Sequence, residues 1–580
     1  MFSRLSFAAL LAQTLSVQAE SYDYLIAGAG TAGLVVASRL SENPKVSVLV
    51  IETGPDVRHD SFVTSGGFNF GNYNHTINWE YNSTAQAGAN DRVLAYRAGK
   101  AVGGSSIVNG MVYIRGEAAQ FDAFEALGNP GWNWNSLFGY GKKGERFETP
   151  DAAQLKAGVT ADAAVHGFKG PLVVSFPNAV TNTSFGNSAR QAWQSIGVNP
   201  VTDINSGHIH GFVAAPYTLD RDRQLRSSSA AAYYEPVDTR PNLKVIQGTV
   251  KRILWGANKN NKTAVASGFE YATPSGSIVQ VSAKKEVIVS AGAYRSPLVL
   301  EASGIGNPAL LKKLNIPLKA AVPGVGENMQ DHNAMMALRP TSSQLVGITP
   351  FAALVNAQDV LGNRTASMAA SSRAQIPAWA QAASKYTGGA IPASAYEKRF
   401  TVQHDLIFKQ NVTIAELYPT NAGSAIASQF WTTHPFSWGS VHLQAGQDGA
   451  GEPVIDPNIF ALQFDVDMVA AVARKEQEAY STSPLSQFVV PTVPVPANAT
   501  DSQWSAYVRA NATITMHVVG SCAMLPLELG GVVDSSLKVY GTSNVRVVDA
   551  SVIPIELTGH TTGPLYAVAE KAADMIKRDG

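Results

Sequence analysis

The chain has 580 residues, with 44 basic and 44 acidic side chains and 45% hydrophobic residues. Balanced charge without a basic run gives no electrostatic basis for a nucleic-acid or anionic-membrane partner, and this length favours two domains around a large core. Cys522 is the only cysteine, so no internal disulfide can form, and stability must come from core burial and a tightly held ligand.

Residues 1–19 carry Arg4, an apolar run from Leu5 to Leu15 and small residues up to Ala19. This pattern predicts a secretory signal peptide cleaved after Ala19, and the run is too short to span a bilayer. Eight N-x-[ST] sequons follow, at Asn74, Asn82, Asn182, Asn261, Asn363, Asn411, Asn498 and Asn511. Behind a signal peptide they are expected to be glycosylated surface positions of a secreted, extracellular protein.

The stretch from Tyr22 to Gly54 organises the chain. An apolar run breaks at Gly28-Ala29-Gly30-Thr31-Ala32-Gly33, continues as a helical pattern to Leu40, turns at Asn43-Pro44 and resumes from Val46 to Ile51. This predicts a strand, a glycine turn, a helix and a second, parallel strand. One glycine makes the turn, one admits a pyrophosphate to the backbone, and one lets the helix pack on the strand. The helix amino terminus favours the phosphate charge. Glu52 ends the second strand where it can accept hydrogen bonds from an adenosine ribose, and its charge would repel a 2′-phosphate, so the expected ligand is NAD-like or FAD-like.

Residues 56–95 read as an irregular lid excursion. A second glycine-rich segment, Arg97 to Gly110, has side chains small enough for backbone to run flat along a planar ligand. Strands are expected at Leu243 to Ile246, Val250 to Leu254 and Glu286 to Ser290. From Thr341 to Val508 a helix is expected over Ala366 to Tyr386, with strand-like runs at Phe400 to Phe408, Ala415 to Tyr418 and Ser440 to Leu443. Trp431 and Phe430 are candidate pocket residues. A helical stripe over Thr561 to Lys577 closes the chain.

The segment Gly99-Lys100-x-Val102-Gly103-Gly104-Ser105-Ser106-x-Val108-Asn109 resembles the first signature of the glucose-methanol-choline (GMC) oxidoreductases. Gly292 to Gly306 resembles their second, and Pro323-Gly324-Val325-Gly326-Glu327-Asn328-Met329-Gln330-Asp331-His332 is also typical of them. The resemblance runs from Tyr22 to Lys577. It implies an α/β (α+β overall) fold, with a Rossmann-like FAD-binding domain and an antiparallel-sheet substrate domain. The expected divisions are an FAD-binding domain at 20–340, a substrate-binding domain at 341–510, and a C-terminal return at 511–580 that carries the catalytic histidines.

The resemblance makes the dinucleotide FAD. It implies cofactor contacts from Gly28, Gly30, Thr31, Ala32, Gly33, Glu52, Val102, Gly104, Ser106, Asn109, Gly110, Val250, Asp549, Ala550 and Thr561, and it implies no metal. Val108 stands where some relatives carry a histidine bonded to the flavin, so the FAD should be noncovalent. The helix that follows Thr561 should point its positive end at the pyrimidine edge of the flavin. His517 and His560 match the catalytic pair, and Glu416 matches a glutamate that bonds one of them. His517 is the expected base, because removing a hydroxyl proton as hydride leaves carbon needs a base with a pKa near the working pH. Sugar-oxidising relatives carry an arginine and an aromatic residue where this chain has Thr513 and Met516. The implied reaction is therefore oxidation of a less polar primary alcohol, aryl, allylic or a small metabolite of secondary metabolism, with O2 or another electron acceptor. A sugar oxidase or dehydrogenase, and a lyase or cyclase with redox-silent FAD, are the alternatives. A monomer or a homodimer fits equally.

Overall fold

The computed structural model describes residues 20–65, 75–178, 180, 183–257, 263–345, 347, 350–491, 494–496 and 498–580. The expected signal peptide, part of the lid excursion (66–74) and the sequons at Asn74, Asn182 and Asn261 lie outside the described residues. The other five sequon asparagines are exposed.

Two sheets carry the fold. Their strands, in chain order, are β1 (Ser21–Ala27), β2 (Val48–Glu52), β3 (Gly211–Ala214), β4 (Leu243–Gln247), β5 (Thr249–Trp255), β6 (Ala266–Ala272), β7 (Ile278–Val289), β8 (Asn333–Pro340), β9 (Phe351–Val355), β10 (Ala415–Asn421), β11 (Ala425–Thr432), β12 (Thr513–Ile514) and β13 (Val545–Val547). The first sheet runs β4-β2-β1-β7-β6-β5, with β13 also pairing β7. Pairs among β4, β2, β1, β7 and β13 are parallel, whereas β5, β6 and β7 pair antiparallel. All five residues of β2 are buried, as a parallel strand covered on both faces requires.

The helices that matter for the site are α1 (Thr31–Leu40), α2 (Thr365–Tyr386), α3 (Ala393–Phe408) and α4 (Thr562–Asp579). Every residue of α1 except Arg39 is buried. The helix packs against α4, and Arg39 Nη2 pairs with Glu570 at 2.7 Å. The strand-like run Phe400 to Phe408 is a correction, because it forms the second half of α3. Its buried residues, Tyr396, Arg399, Phe400, Gln403, His404, Leu406 and Ile407, recur at three and four, so the period is helical and the aromatics misled a reading for strands.

The second sheet is antiparallel, in the order β12-β8-β11-β10-β9-β3. It draws β8, β3 and β12 from outside 341–510, so the chain passes between the two sheets several times. One of its faces carries Ala334, Trp431, Tyr418 and Leu354, which pack with Met111, Val112 and Tyr217. The lid excursion is partly regular, since Asn78–Asn82 pairs antiparallel with Ala95–Gly99. No helix among the described residues is long and apolar enough to cross a membrane.

Candidate active site

Register places four carboxyl ends side by side: Ala27 opposite Ile51 and Val289, and Val289 opposite Val547. The residues just beyond them, Gly28, Glu52, Gly292 and Asp549, border a cavity of about 560 Å³. A crevice outside the carboxyl ends of parallel strands is where open α/β sheets bind ligands, and this volume lies in the range of small-molecule sites.

Gly28 has φ +103°, and a Cβ there would lie 2.4 Å from the Ser290 carbonyl oxygen, so only glycine makes the turn. A Cβ on Gly104, whose φ is +52°, would lie 2.6 Å from Gly30 Cα. The two glycine-rich segments therefore meet backbone to backbone. They leave a side-chain-free floor at the amino end of α1, whose first N–H groups have no helical partner. Glu52 takes the Ala29 N–H on Oε2 and the Gly54 N–H on Oε1, both at 2.8 Å. Burial pushes its carboxyl up to about 7 against these hydrogen bonds. Each oxygen keeps a second lone pair for ribose hydroxyls. These features fit a dinucleotide.

Of the expected cofactor residues, Gly28, Gly30, Thr31, Ala32, Glu52, Val250, Gly104, Asn109, Gly110, Asp549, Ala550 and Thr561 line the cavity. Gly33, Val102 and Ser106 lie behind its wall. Gly33 lets α1 sit on the turn, because its Cβ would lie 2.1 Å from the Gly28 carbonyl oxygen. Val102 is buried and gives its N–H to Pro55 O. Ser106 turns inward, donating to Gly103 O at 2.6 Å. Asp549 spends its carboxylate on the protein, accepting from Gly292 N at 3.0 Å and Ser551 N at 2.9 Å. Val108 also lines the cavity.

At the far end, His517 and His560 line the cavity with ring centroids 4.8 Å apart. His517 follows β12, and His560 precedes α4, whose first residues, Thr562 and Leu565, reach the same wall. Glu416 of β10 is fully buried behind the wall, with Oε1 3.3 Å from His560 Nε2. The pair lies within ion-pair distance but is not aligned as a hydrogen bond, and neither Glu416 oxygen has another partner. Burial, then the neighbouring His560 and His332, hold His517 well below the ordinary histidine value. The ring is therefore a neutral acceptor at neutral pH.

Trp431 lines the cavity with its ring 5.5 Å from His560, whereas Phe430 faces the core on the other side of β11. Met336 and Met516 add to the apolar character of this end, Met335 and Ile514 turn to the core as Phe430 does, and Tyr418, Thr420 and Gln429 supply its polar groups.

Sequence reasoning assigned no role to Asp331, His332 and Glu556. His332 Nδ1 lies 3.1 Å from His517 Nδ1. Asp331 Oδ1 accepts from Thr515 Oγ1 at 2.7 Å and from His517 N at 3.0 Å. Asp331 and His332 end the Pro323–His332 signature, which was the available signal; Glu556 has none.

A crevice that fits a dinucleotide and runs from a carboxylate at the end of β2 to two histidines under an antiparallel sheet marks a protein of the two-sheet dinucleotide-binding class. Family models for GMC oxidoreductase match residues 22–334 and 435–569, and the chain belongs to that family of FAD-binding oxidoreductases. It is 45% identical over 578 residues to a glucose oxidase-like protein of Humicola fuscoatra, covering 99% of this chain and 98% of that one. Among solved structures, it matches an FAD-dependent oxidoreductase from Chaetomium thermophilum with TM-score 0.87 and 29% identity, over 96% of this chain and 99% of that one. A fungal aryl-alcohol oxidase matches with TM-score 0.85 and 29% identity over the same shares.

Proposed function

We propose that this protein is a secreted FAD enzyme that oxidises a primary alcohol of low polarity, aryl, allylic or a small secondary metabolite, to the aldehyde. The observation that carries the reading is a neutral, tied-back histidine at an apolar cavity end, beside a second histidine backed by a buried glutamate. FAD, when bound, supplies the acceptor for the hydride and passes the electrons on to O2 or another acceptor.

His517 Nε2 takes the hydroxyl proton as the carbon-bound hydrogen leaves with its electron pair. His560, oriented by Glu416, holds the substrate oxygen. Trp431 and Met336, on the cavity face of the sheet, put apolar surface around the reacting carbon. The start of α4, where Thr561 and Thr562 line the cavity, would favour negative charge on a bound flavin. Val108 offers no nucleophile, which supports noncovalent FAD. Secretion rests on the leader pattern in residues 1–19, and glycosylation on the five exposed sequons among the described residues.

Thr513 and Met516 at the cavity end weaken the case for a sugar, since neither brings a charged donor for ring hydroxyls. The likeness to a glucose oxidase-like relative keeps sugar oxidation as the second reading. The deciding experiment is anaerobic flavin absorbance with benzyl-type and allylic alcohols and with glucose, followed by air. Bleaching by the unsaturated alcohols supports the proposal, and rapid recovery in air marks an oxidase. Bleaching by glucose alone refutes it, and an unchanged spectrum with every alcohol points to redox-silent FAD.

A further inference from the structure

His332 stands directly behind His517, fully buried and outside the cavity wall. Its Nε2 lies 3.0 Å from the carbonyl oxygen of Leu557 and 3.3 Å from Oε1 of Glu556. A carbonyl oxygen only accepts, so the hydrogen of a neutral His332 sits on Nε2, because a lone pair there would face the Leu557 oxygen. Burial pushes this imidazole down to about 4 and holds the Glu556 carboxyl well above its usual range. The ring is therefore neutral at neutral pH, with its lone pair on Nδ1.

That nitrogen is 3.1 Å from Nδ1 of His517. Two imidazole nitrogens in a hydrogen bond share one hydrogen, and His332 has none to give at Nδ1. The hydrogen therefore belongs to His517, and the lone pair of a neutral His517 falls on Nε2, the nitrogen left for the cavity. We infer that His332, oriented by the Leu557 carbonyl, is a positioning residue that fixes His517 in the Nδ1–H tautomer and so delivers its Nε2 lone pair to the substrate hydroxyl.

The tautomer follows from the contacts alone; its consequence for rate rests on the proposed alcohol oxidation. In that reaction the substrate O–H bond breaks as the N–H bond forms at His517 Nε2, and the Nδ1–H to His332 strengthens as His517 gains charge. Without His332, His517 is free to carry its hydrogen on Nε2, where it has no lone pair to offer.

The test uses the FAD-loaded full chain labelled with ¹⁵N-histidine. The ring nitrogens are read by long-range ¹H–¹⁵N correlation, and His517 is assigned by its loss in His517→Asn. The wild type should show a protonated Nδ1 and an unprotonated Nε2 at His517. His332→Leu should lose that preference and slow anaerobic flavin reduction at saturating alcohol by roughly 100-fold or more, as tautomer errors do in other histidine bases, with little change in substrate affinity. His332→Asn places a side-chain oxygen near the position of Nδ1 and should restore the tautomer and most of the rate. An Nε2–H tautomer in the wild type, or an unchanged tautomer in His332→Leu, overturns the inference. If no alcohol bleaches the flavin, the alcohol reading fails, while the wild-type spectrum still decides the tautomer. That spectrum and the Asn variant also decide it if the Leu variant does not fold.

Discussion

Two alanine substitutions three residues apart separate ligand contact from packing in the turn. At Gly33 an added Cβ meets the Gly28 carbonyl oxygen at 2.1 Å and Ser290 Cβ at 3.3 Å. Helix α1 is buried along nearly its whole length, so it has little room to move away. Gly33→Ala should destabilise the FAD-free protein by about 1–3 kcal/mol or more, the cost of overpacking a close-packed element. At Gly30 the backbone has φ −79°, which alanine adopts freely, and the nearest atom to an added Cβ is Gly104 Cα at 3.9 Å. That methyl occupies only the floor of the cavity. Gly30→Ala should leave the FAD-free protein nearly as stable as wild type but displace a bound pyrophosphate from the backbone. Losing one charge-assisted hydrogen bond there, worth about 1.5–3 kcal/mol, weakens FAD binding roughly 10- to 100-fold. Thermal unfolding of FAD-free protein and a titration with FAD measure the two effects separately. Equal destabilisation by both variants, or undiminished FAD affinity in Gly30→Ala, would refute the assignment of this floor to the cofactor.

Three further outcomes follow from the same geometry. Glu416→Gln keeps the shape behind His560 and replaces the carboxyl group 3.3 Å from its Nε2 with an amide; stopped-flow flavin reduction should slow about 10- to 100-fold, with unchanged thermal stability. Asp331→Asn puts an amide hydrogen against donors that now have an acceptor, Thr515 Oγ1, Met516 N, His517 N and His332 N. It should cost about 1–3 kcal/mol in denaturant unfolding and slow flavin reduction, since the His517 loop loses its clamp. His442 sits between Glu301, 2.7 Å from Nδ1, and Glu327, 3.3 Å from Nε2; burial pushes its value down, but the two carboxylates raise it to about 10. Because the folded value lies above the unfolded one, its contribution, on the order of a few kcal/mol, is complete below about pH 6.5 and is lost as pH rises toward 10. Unfolding followed from pH 6 to 10 should show that decline, and His442→Phe should flatten it.

The turn after β1 and Glu52 were legible because each rests on local spacing, a glycine pattern between a strand and a helix and an acid at a strand end, whereas the two cavity histidines were singled out only by the resemblance of their positions to the GMC pattern. Side-chain direction within the second glycine-rich segment was not legible. Ser106 belongs to the short 3₁₀ turn Gly104–Ile107, where one residue of rotation decides between the cavity and Gly103 O, and no periodic pattern records that choice. Phe400 to Phe408 was misread because its five hydrophobic positions in nine residues, Phe400, Val402, Leu406, Ile407 and Phe408, do not separate the two periods until the buried polar Gln403 and His404 are seen. Burial of Glu416 was legible as an acid in an apolar strand. Glu556 was not, since its neighbour His332 lies more than 200 residues away and meets it only through the folded chain.

The same distance explains why the cavity end depends on both sheets. Pairing of β8 with β12 sets Asn333 opposite Ile514 and Ala334 opposite Thr513, so Asp331 and His332, just before β8, lie beside Thr515 to His517, just after β12. Met516 has φ +64°, a left-handed conformation that costs a non-glycine residue of order 1 kcal/mol or more. It persists because Asp331 gathers the N–H groups of Met516 and His517 together with the Thr515 hydroxyl. That turn carries Met516 outward, 41% exposed at the cavity rim, and carries His517 inward onto His332. A residue without Cβ at 516 would relieve the strain, but it would also free the turn that sets the position of His517. The strained methionine and the buried aspartate are thus one device, in which hydrogen bonds to a carboxylate stabilise a backbone conformation, and that conformation aims the histidine.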